Sequence, residues 1–140
     1  MSNLQPGNYY KIESVEFIDP ETPPKTRSLA VEGGTLVLAP EGAEPTKFLF
    51  EASMQESEGM YRISVDQGHL VPNGGGVSAS VTVDAEWNVV RSAPCPPPVG
   101  NNTFVIYQGP AGPGSDAINP GSGPVELKSL GYPWWIRPVA

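Results

Sequence analysis

Cysteine and histidine are almost missing from this chain, which has one of each. The single cysteine, Cys95, excludes an internal disulfide, and nothing basic beside it activates its thiol. The single histidine, His69, has no second histidine or cysteine nearby to share a metal. We therefore predict a protein with no metal, no cofactor and no enzymatic activity.

Basic residues are also few, because the chain has eight Lys and Arg against fifteen Asp and Glu and a net charge of −7. The basic residues are scattered along the sequence. A nucleic-acid partner usually requires a basic stripe or patch. We expect no nucleic-acid partner, and an acidic surface whose main effect is solubility.

Long apolar stretches are missing too. No run approaches the length of a membrane span, and the first six residues contain no apolar segment typical of a signal peptide. We predict a cytoplasmic monomer with a reduced thiol and no membrane partner.

The chain lacks apolar residues at helical spacing, and its 16 Gly and 17 Pro make up nearly a quarter of the 140 residues. What it has instead is a short alternating pattern that indicates strands. An aromatic residue, one variable residue and Ile recur at intervals of roughly forty to fifty residues. The copies are Tyr10-Lys11-Ile12, Tyr61-Arg62-Ile63 and Phe104-Val105-Ile106.

A second aromatic pattern follows each copy of the first. It reads aromatic, variable, apolar, and its copies are Phe48-Leu49-Phe50, Trp87-Asn88-Val89 and Trp134-Trp135-Ile136. A weak strand and an alternating strand lie between the two patterns, so that four strands appear three times. We predict one all-β domain over residues 1–140. Its three four-strand units would form a barrel capped by hairpins, which removes exposed sheet edges.

This arrangement resembles a β-trefoil with three pseudo-repeated four-strand units. The opening Leu4-Gln5-Pro6-Gly7-Asn8-Tyr9-Tyr10-Lys11-Ile12 is similar to the start of small fungal trefoil protease inhibitors, the mycospins and mycocypins. The closing Trp134-Trp135-Ile136-Arg137-Pro138 is similar to their last strand. The resemblance implies a protease as partner and a role in defence against feeders. It transfers no inhibitory residue, because members of these families use different loops.

The loop that best fits a substrate-like inhibitor contains Pro23, Pro24, Lys25, Thr26 and Arg27. Prolines ahead of the residue that enters a specificity pocket restrict the free loop and lower the ordering cost of binding. Lys25 would place its ammonium group in a trypsin-like pocket with a carboxylate at its floor, and Arg27 offers the same in another frame. The alternative is that both are solvated charges on an ordinary loop.

Two further loops offer contacts with cysteine proteases. Glu41, Gly42 and Ala43 belong to a loop that, together with residues 19–27, would wedge into a papain-like cleft, as the resemblance to mycocypins implies. Asn73 and Gly74 would offer an asparagine to a legumain-like enzyme, although Asn-Gly is more simply a hairpin turn.

A different class of function is glycan binding. Trefoil lectins usually carry Gln-x-Trp near the end of each unit, and none of the three units here has that glutamine. Trp134 or Trp135 could stack on a sugar if exposed, whereas the simpler expectation is that both lie in the core.

Overall fold

The computed structural model describes residues 4–16, 19, 21–52, 59–93, 99–100, 102–109, 115–121 and 123–139. These residues form strands and no helix, which confirms the all-β prediction. The twelve strands are β1 Asn8–Glu16, β2 Lys25–Glu32, β3 Thr35–Leu38, β4 Phe48–Ala52, β5 Met60–Val65, β6 Gly68–Asn73, β7 Gly76–Ser80, β8 Trp87–Arg91, β9 Thr103–Gln108, β10 Ala117–Asn119, β11 Glu126–Lys128 and β12 Trp134–Pro138. In this described part of the chain, no helix is long and apolar enough to cross a membrane.

The first aromatic pattern marks strands whose alternate residues face the core. In β1, Tyr10 and Ile12 are buried while Tyr9 is half exposed. In β5, Tyr61 and Ile63 are likewise buried. The period of two that the sequence indicates is thus the period of burial for these two copies, whereas in β9 residues 103–106 are all buried.

The second aromatic pattern supplies the centre of the core. Phe48, Trp87 and Trp134 are fully buried and begin β4, β8 and β12. The two indole N–H groups donate to strand carbonyls, Trp87 to Leu70 at 2.9 Å and Trp134 to Ile118 at 2.8 Å. These bonds satisfy the polar atom that each buried indole carries.

Two of the hairpins turn through paired glycines. Gly33 and Gly34 connect β2 to β3 with φ values of 58° and 80°, and Gly74 and Gly75 connect β6 to β7 with 57° and 89°. Positive φ at both central residues matches the twist of the flanking strands and favours glycine. The β6–β7 turn was predicted from its Asn-Gly sequence, and that prediction is confirmed.

All described pairings are antiparallel and join the strands into one sheet. Neighbouring pairs close a ring of nine strands, in the order β1, β2, β3, β7, β6, β5, β8, β9, β12 and back to β1. Strand β4 joins β1 directly to β5, which also closes a shorter circuit of β1, β4, β5, β8, β9 and β12. Strands β10 and β11 extend from β9.

The prediction of a β-trefoil with three equivalent four-strand units is wrong, because the structure is a closed nine-strand antiparallel β-barrel with unequal segments. Pairing of β3 with β7 makes the first two hairpins part of the closed wall. The third hairpin stays off this ring, since β10 and β11 have three residues each and a single residue pair joins β10 to β9. A repeat in sequence therefore did not produce a repeat in pairing.

Backbone hydrogen bonds also connect neighbouring hairpins near their turns. The amide of Ala79 donates to Gly34 O at 2.8 Å, the amide of Leu38 donates to Gly123 O at 2.8 Å, and the amide of Leu127 donates to Gly75 O at 2.8 Å. These bonds satisfy backbone groups that would otherwise lie at open strand edges.

Candidate functional site

Lys25 is the first residue of β2 and lies on the surface. Its backbone is opposite Glu16 of β1, and Thr26 and Arg27 continue that ladder. The ladder with β3 starts only at Leu29, so residues 25–27 have one strand edge with no described partner strand. The Lys25 ammonium group forms no hydrogen bond or ion pair with any residue that the structure describes.

The residues ahead of Lys25 are braced by a side chain of the same loop. The Asp19 carboxylate accepts hydrogen bonds from the amides of Glu21 and Thr22, at 2.9 and 2.7 Å, and from the Thr22 hydroxyl at 2.8 Å. The Thr22 hydroxyl, more than the Glu21 amide, lowers the pKa of Asp19 from its ordinary value of 3.8. We call Asp19 with residues 21–25 the Lys25 segment. Pro23 and Pro24 follow this turn and lead directly into the strand.

Arg27, proposed as an alternative to Lys25 in a specificity pocket, has its guanidinium occupied. Nε donates to Ala39 O at 2.9 Å and Nη2 donates to Leu38 O at 3.2 Å. The Ser14 hydroxyl donates to Arg27 O at 3.4 Å. Arg27 thus fastens the start of β2 to the end of β3, while Lys25 extends unbound.

The loop that follows β3 is exposed at all three residues proposed for contact, Glu41, Gly42 and Ala43. The amide of Ala43 donates to Pro40 O at 3.1 Å, and Gly42 has a φ of 86°. Glycine with positive φ at the third of the four turn residues is the feature of a type II turn. Because Arg27 holds Ala39, this loop begins beside the start of β2.

Asn73 and Gly74 lie in the β6–β7 hairpin turn, where neighbours hold them. The Asn73 Nδ2 donates to the Ser78 hydroxyl at 3.0 Å, and the turn carbonyl of Gly75 accepts from Leu127. Asn73 itself is exposed. The structure thus gives this pair the hairpin role, with its asparagine amide already engaged.

The tryptophans proposed as sugar platforms are buried. Trp134 is fully buried, and Trp135 is 7% exposed with the Arg137 guanidinium 3.6 Å from its ring centroid. Neither ring offers a free face to a glycan. The expectation that both lie in the core is confirmed.

The described residues form no cluster of metal ligands, and they do not include the single cysteine. In the ranges that the structure describes, no three His, Cys, Asp or Glu side chains come together as metal ligands. Cys95 lies outside the described residues, as do Pro94 and the prolines at 96–98.

One surface feature did not emerge from the sequence analysis. A cleft of about 460 Å³ is lined by Tyr9, Thr46, Lys47, Asp66 and Gln67, and we call it the Tyr9 cleft. Tyr9 also lines a second cleft of about 470 Å³, whose lining includes Leu4, Phe104, Ile136 and Pro138. The signal available in the sequence was the alternation in β1, which places Tyr9 outside because Tyr10 faces the core.

A comparison with protein-family models and with curated protein sequences finds no significant match. The function must therefore be argued from the residues of the surface.

Proposed function

We propose that this protein reversibly inhibits a trypsin-like serine protease by presenting the Lys25 segment to the active-site cleft. Lys25 would enter the specificity pocket, where its ammonium group would meet a carboxylate. The protein contributes no covalent chemistry, and inhibition follows from occlusion. The observation that carries the proposal is an exposed ammonium group, with no ionic or hydrogen-bonded partner among the described residues, at the end of an internally braced segment.

Bracing matters because a loop that is ordered before binding loses less conformational freedom on binding. Asp19 holds the residues ahead of the two prolines, and β1 holds the backbone of residues 25–27. Ordering a single rotamer-rich side chain costs on the order of 0.5–1.5 kcal/mol. A braced segment lowers the corresponding backbone cost.

The free strand edge supports the same proposal. An extended segment with one unpaired edge can add to a strand of its partner through backbone hydrogen bonds. Residues 25–27 have such an edge, since their described pairing is to β1 alone. Backbone pairing would align the segment in the cleft while the Lys25 side chain selects the pocket.

The alternative target is a papain-like cysteine protease, contacted by the Lys25 segment and the residue 40–46 loop together. One observation favours it, namely that Arg27 joins the start of β2 to Ala39 at the base of that loop. The predicted fungal origin, cytoplasmic location, monomeric state and role in defence stay predictions.

A panel of purified proteases tests the proposal. We expect inhibition of trypsin and none of chymotrypsin, whose pocket lacks the carboxylate. A small amidine that fills the trypsin pocket should compete with this protein. Inhibition of papain alone would move the site to the paired loops, and inhibition of neither trypsin, papain nor a legumain would overturn the proposed function.

A further inference from the structure

The Tyr9 ring is presented to solvent by a backbone that is held from both sides. Tyr9 is 51% exposed, although its backbone pairs with Leu49 of β4 and its carbonyl accepts from the amide of Val139 at 3.1 Å. Tyr10, the next residue, is 5% exposed and packs edge-on against Phe50. An aromatic ring left exposed on a rigid strand is a ready platform for a flat ligand.

The opposite wall of the Tyr9 cleft is a tight turn. Asp66 and Gln67 connect β5 to β6, and the turn closes where Val65 is opposite Gly68. Gly68 has a φ of 137°, and a Cβ there would lie 2.4 Å from Ser80 O. The turn that carries Asp66 and Gln67 is therefore closely packed against Ser80 at Gly68.

The polar side chains of the cleft have hydrogen-bonding capacity to spare. Thr46, Lys47, Asp66 and Gln67 supply a hydroxyl, an ammonium group, a carboxylate and a carboxamide. None of the side-chain hydrogen bonds or ion pairs found in the described residues uses these four groups. Apart from the aromatic ring, everything that lines the cleft is polar.

We infer that the Tyr9 cleft binds a neutral oligosaccharide. A sugar ring offers an apolar face of C–H groups, which stacks on an aromatic ring, and hydroxyls, which both donate and accept. The carboxylate can accept a hydrogen bond from a sugar hydroxyl, the ammonium group can donate one to it, and the carboxamide can do both. The volume of about 460 Å³ lies within the range of small-molecule sites.

The charge of the protein selects against anionic ligands. The cleft lining includes one cation, Lys47, and one carboxylate, Asp66, and the chain carries a net charge of −7. A phosphorylated or sulfated ligand would meet this unfavourable field. A purely apolar ligand would leave the four polar side chains unpaired.

The position of Tyr9 between two clefts indicates an oligosaccharide. The ring lines both the Tyr9 cleft and the second cleft near Leu4 and Pro138. A chain of sugars can extend from one cleft to the other past Tyr9, with one sugar stacked on the ring and the next in the second, more apolar cleft. This inference is independent of the proposed protease inhibition, because Lys25 lines neither cleft.

The test is titration of the full-length protein with four neutral oligosaccharides, namely chitotetraose, cellotetraose, mannotetraose and lacto-N-tetraose, by isothermal calorimetry and ligand-observed NMR. We expect at least one to bind. Tyr9→Ala should weaken that binding about tenfold or more through lost stacking, and Tyr9→Phe, which keeps the ring, should stay within about threefold. Asp66→Asn should also weaken it, because it exchanges an acceptor for a donor.

Lys128→Ala, on β11 and outside both clefts, is the matched control and should bind as the wild type does. Thermal unfolding of each variant separates a lost site from a lost fold, and Asp66→Asn keeps the test decisive if Tyr9→Ala unfolds. Failure of all four oligosaccharides to bind, or unchanged binding in both Tyr9→Ala and Asp66→Asn, would overturn the inference.

Discussion

The β6–β7 turn and the Lys25 segment are both braced, but the source of the bracing differs. The turn is held by a neighbouring strand, since the amide of Leu127 of β11 donates to Gly75 O, and Asn73 adds a bond to Ser78 within the hairpin. The part of the Lys25 segment ahead of Lys25 is fixed from within, by Asp19 and two prolines, and the Lys25 side chain contacts no hydrogen-bonding or ionic partner in the described residues. When a loop is ordered by hydrogen bonds within itself, its outer surface is not covered by other elements and can contact a partner.

The same distinction separates Lys25 from Arg27 within a single strand. The Arg27 guanidinium donates hydrogen bonds to the carbonyls of Leu38 and Ala39, and these bonds stabilise the protein. Lys25, two residues earlier, makes no such contact among the described residues. We therefore assign Arg27 to the fold and Lys25 to the proposed protease contact.

The largest loss of stability is expected at the β5–β6 turn, where Gly68 packs directly against the backbone of Ser80. Gly68→Ala would place a Cβ 2.4 Å from Ser80 O at a φ of 137°. We expect the free energy of unfolding to fall by about 3 kcal/mol or more, because backbone must move to make room. Urea unfolding measures this. The control is Gly33→Ala, where no atom lies within 4 Å of the new Cβ, and an equal loss in both would refute the steric explanation.

Arg27→Ala sharpens the contrast with Lys25. Loss of two charge-assisted bonds to carbonyls at the surface should lower the free energy of unfolding by about 1–3 kcal/mol. Lys25→Ala should change it by no more than about 0.5 kcal/mol. Chemical denaturation of the two variants side by side checks the difference, and equal stabilities would mean that Arg27 has no structural role.

Asn73→Ala tests the turn that neighbours hold. Removing the bond to Ser78 should cost about 1 kcal/mol or less, since Asn73 is exposed. Protease inhibition should remain at the wild-type level, because the proposed contact lies elsewhere. A strong loss of legumain inhibition in this variant would instead restore Asn73 as a contact residue.

The bracing of the Lys25 segment should depend on pH. Hydrogen bonds from Thr22 and Glu21 lower the pKa of Asp19 below 3.8, so the ionised carboxylate is the form that the folded turn prefers. Its contribution is fully present above about pH 3.8 and is lost as the pH falls through the lowered pKa. We expect the Thr22 amide resonance in NMR to titrate below pH 3.8. In Asp19→Asn that titration should disappear, and a Thr22 shift centred above pH 3.8 would argue against the hydrogen-bonded turn.

Local features of the fold were predictable from the sequence, whereas pairing between distant strands was not. Alternation revealed the strands, Asn73-Gly74 revealed one hairpin, and the expectation that Trp134 and Trp135 lie in the core was right. The sequence repeat suggested three equal units, yet the short β10 and β11 and the β3–β7 pairing produce an unequal barrel. Ladder lengths depend on contacts between distant residues, which a local pattern does not encode.

The candidate sites divide in the same way. Prolines predicted a stiff segment around Lys25, but the engagement of Arg27 depends on carbonyls of β3 that the sequence did not place beside it. The Tyr9 cleft requires the start of β1, the approach to β4 and the β5–β6 turn to meet, so no single stretch of sequence signals it.

The inhibition constant of Lys25→Ala against trypsin, measured beside those of Arg27→Lys and Lys128→Ala, tests the central claim most directly. The account predicts a loss of about thirtyfold or more for Lys25→Ala, as expected when a central contact residue is truncated. Arg27→Lys should stay near the wild-type value because it keeps a cation beside β3. Lys128→Ala should do so because it lies on β11, away from the Lys25 segment. Wild-type inhibition by a folded Lys25→Ala variant would contradict the proposal that the Lys25 segment occupies the active site.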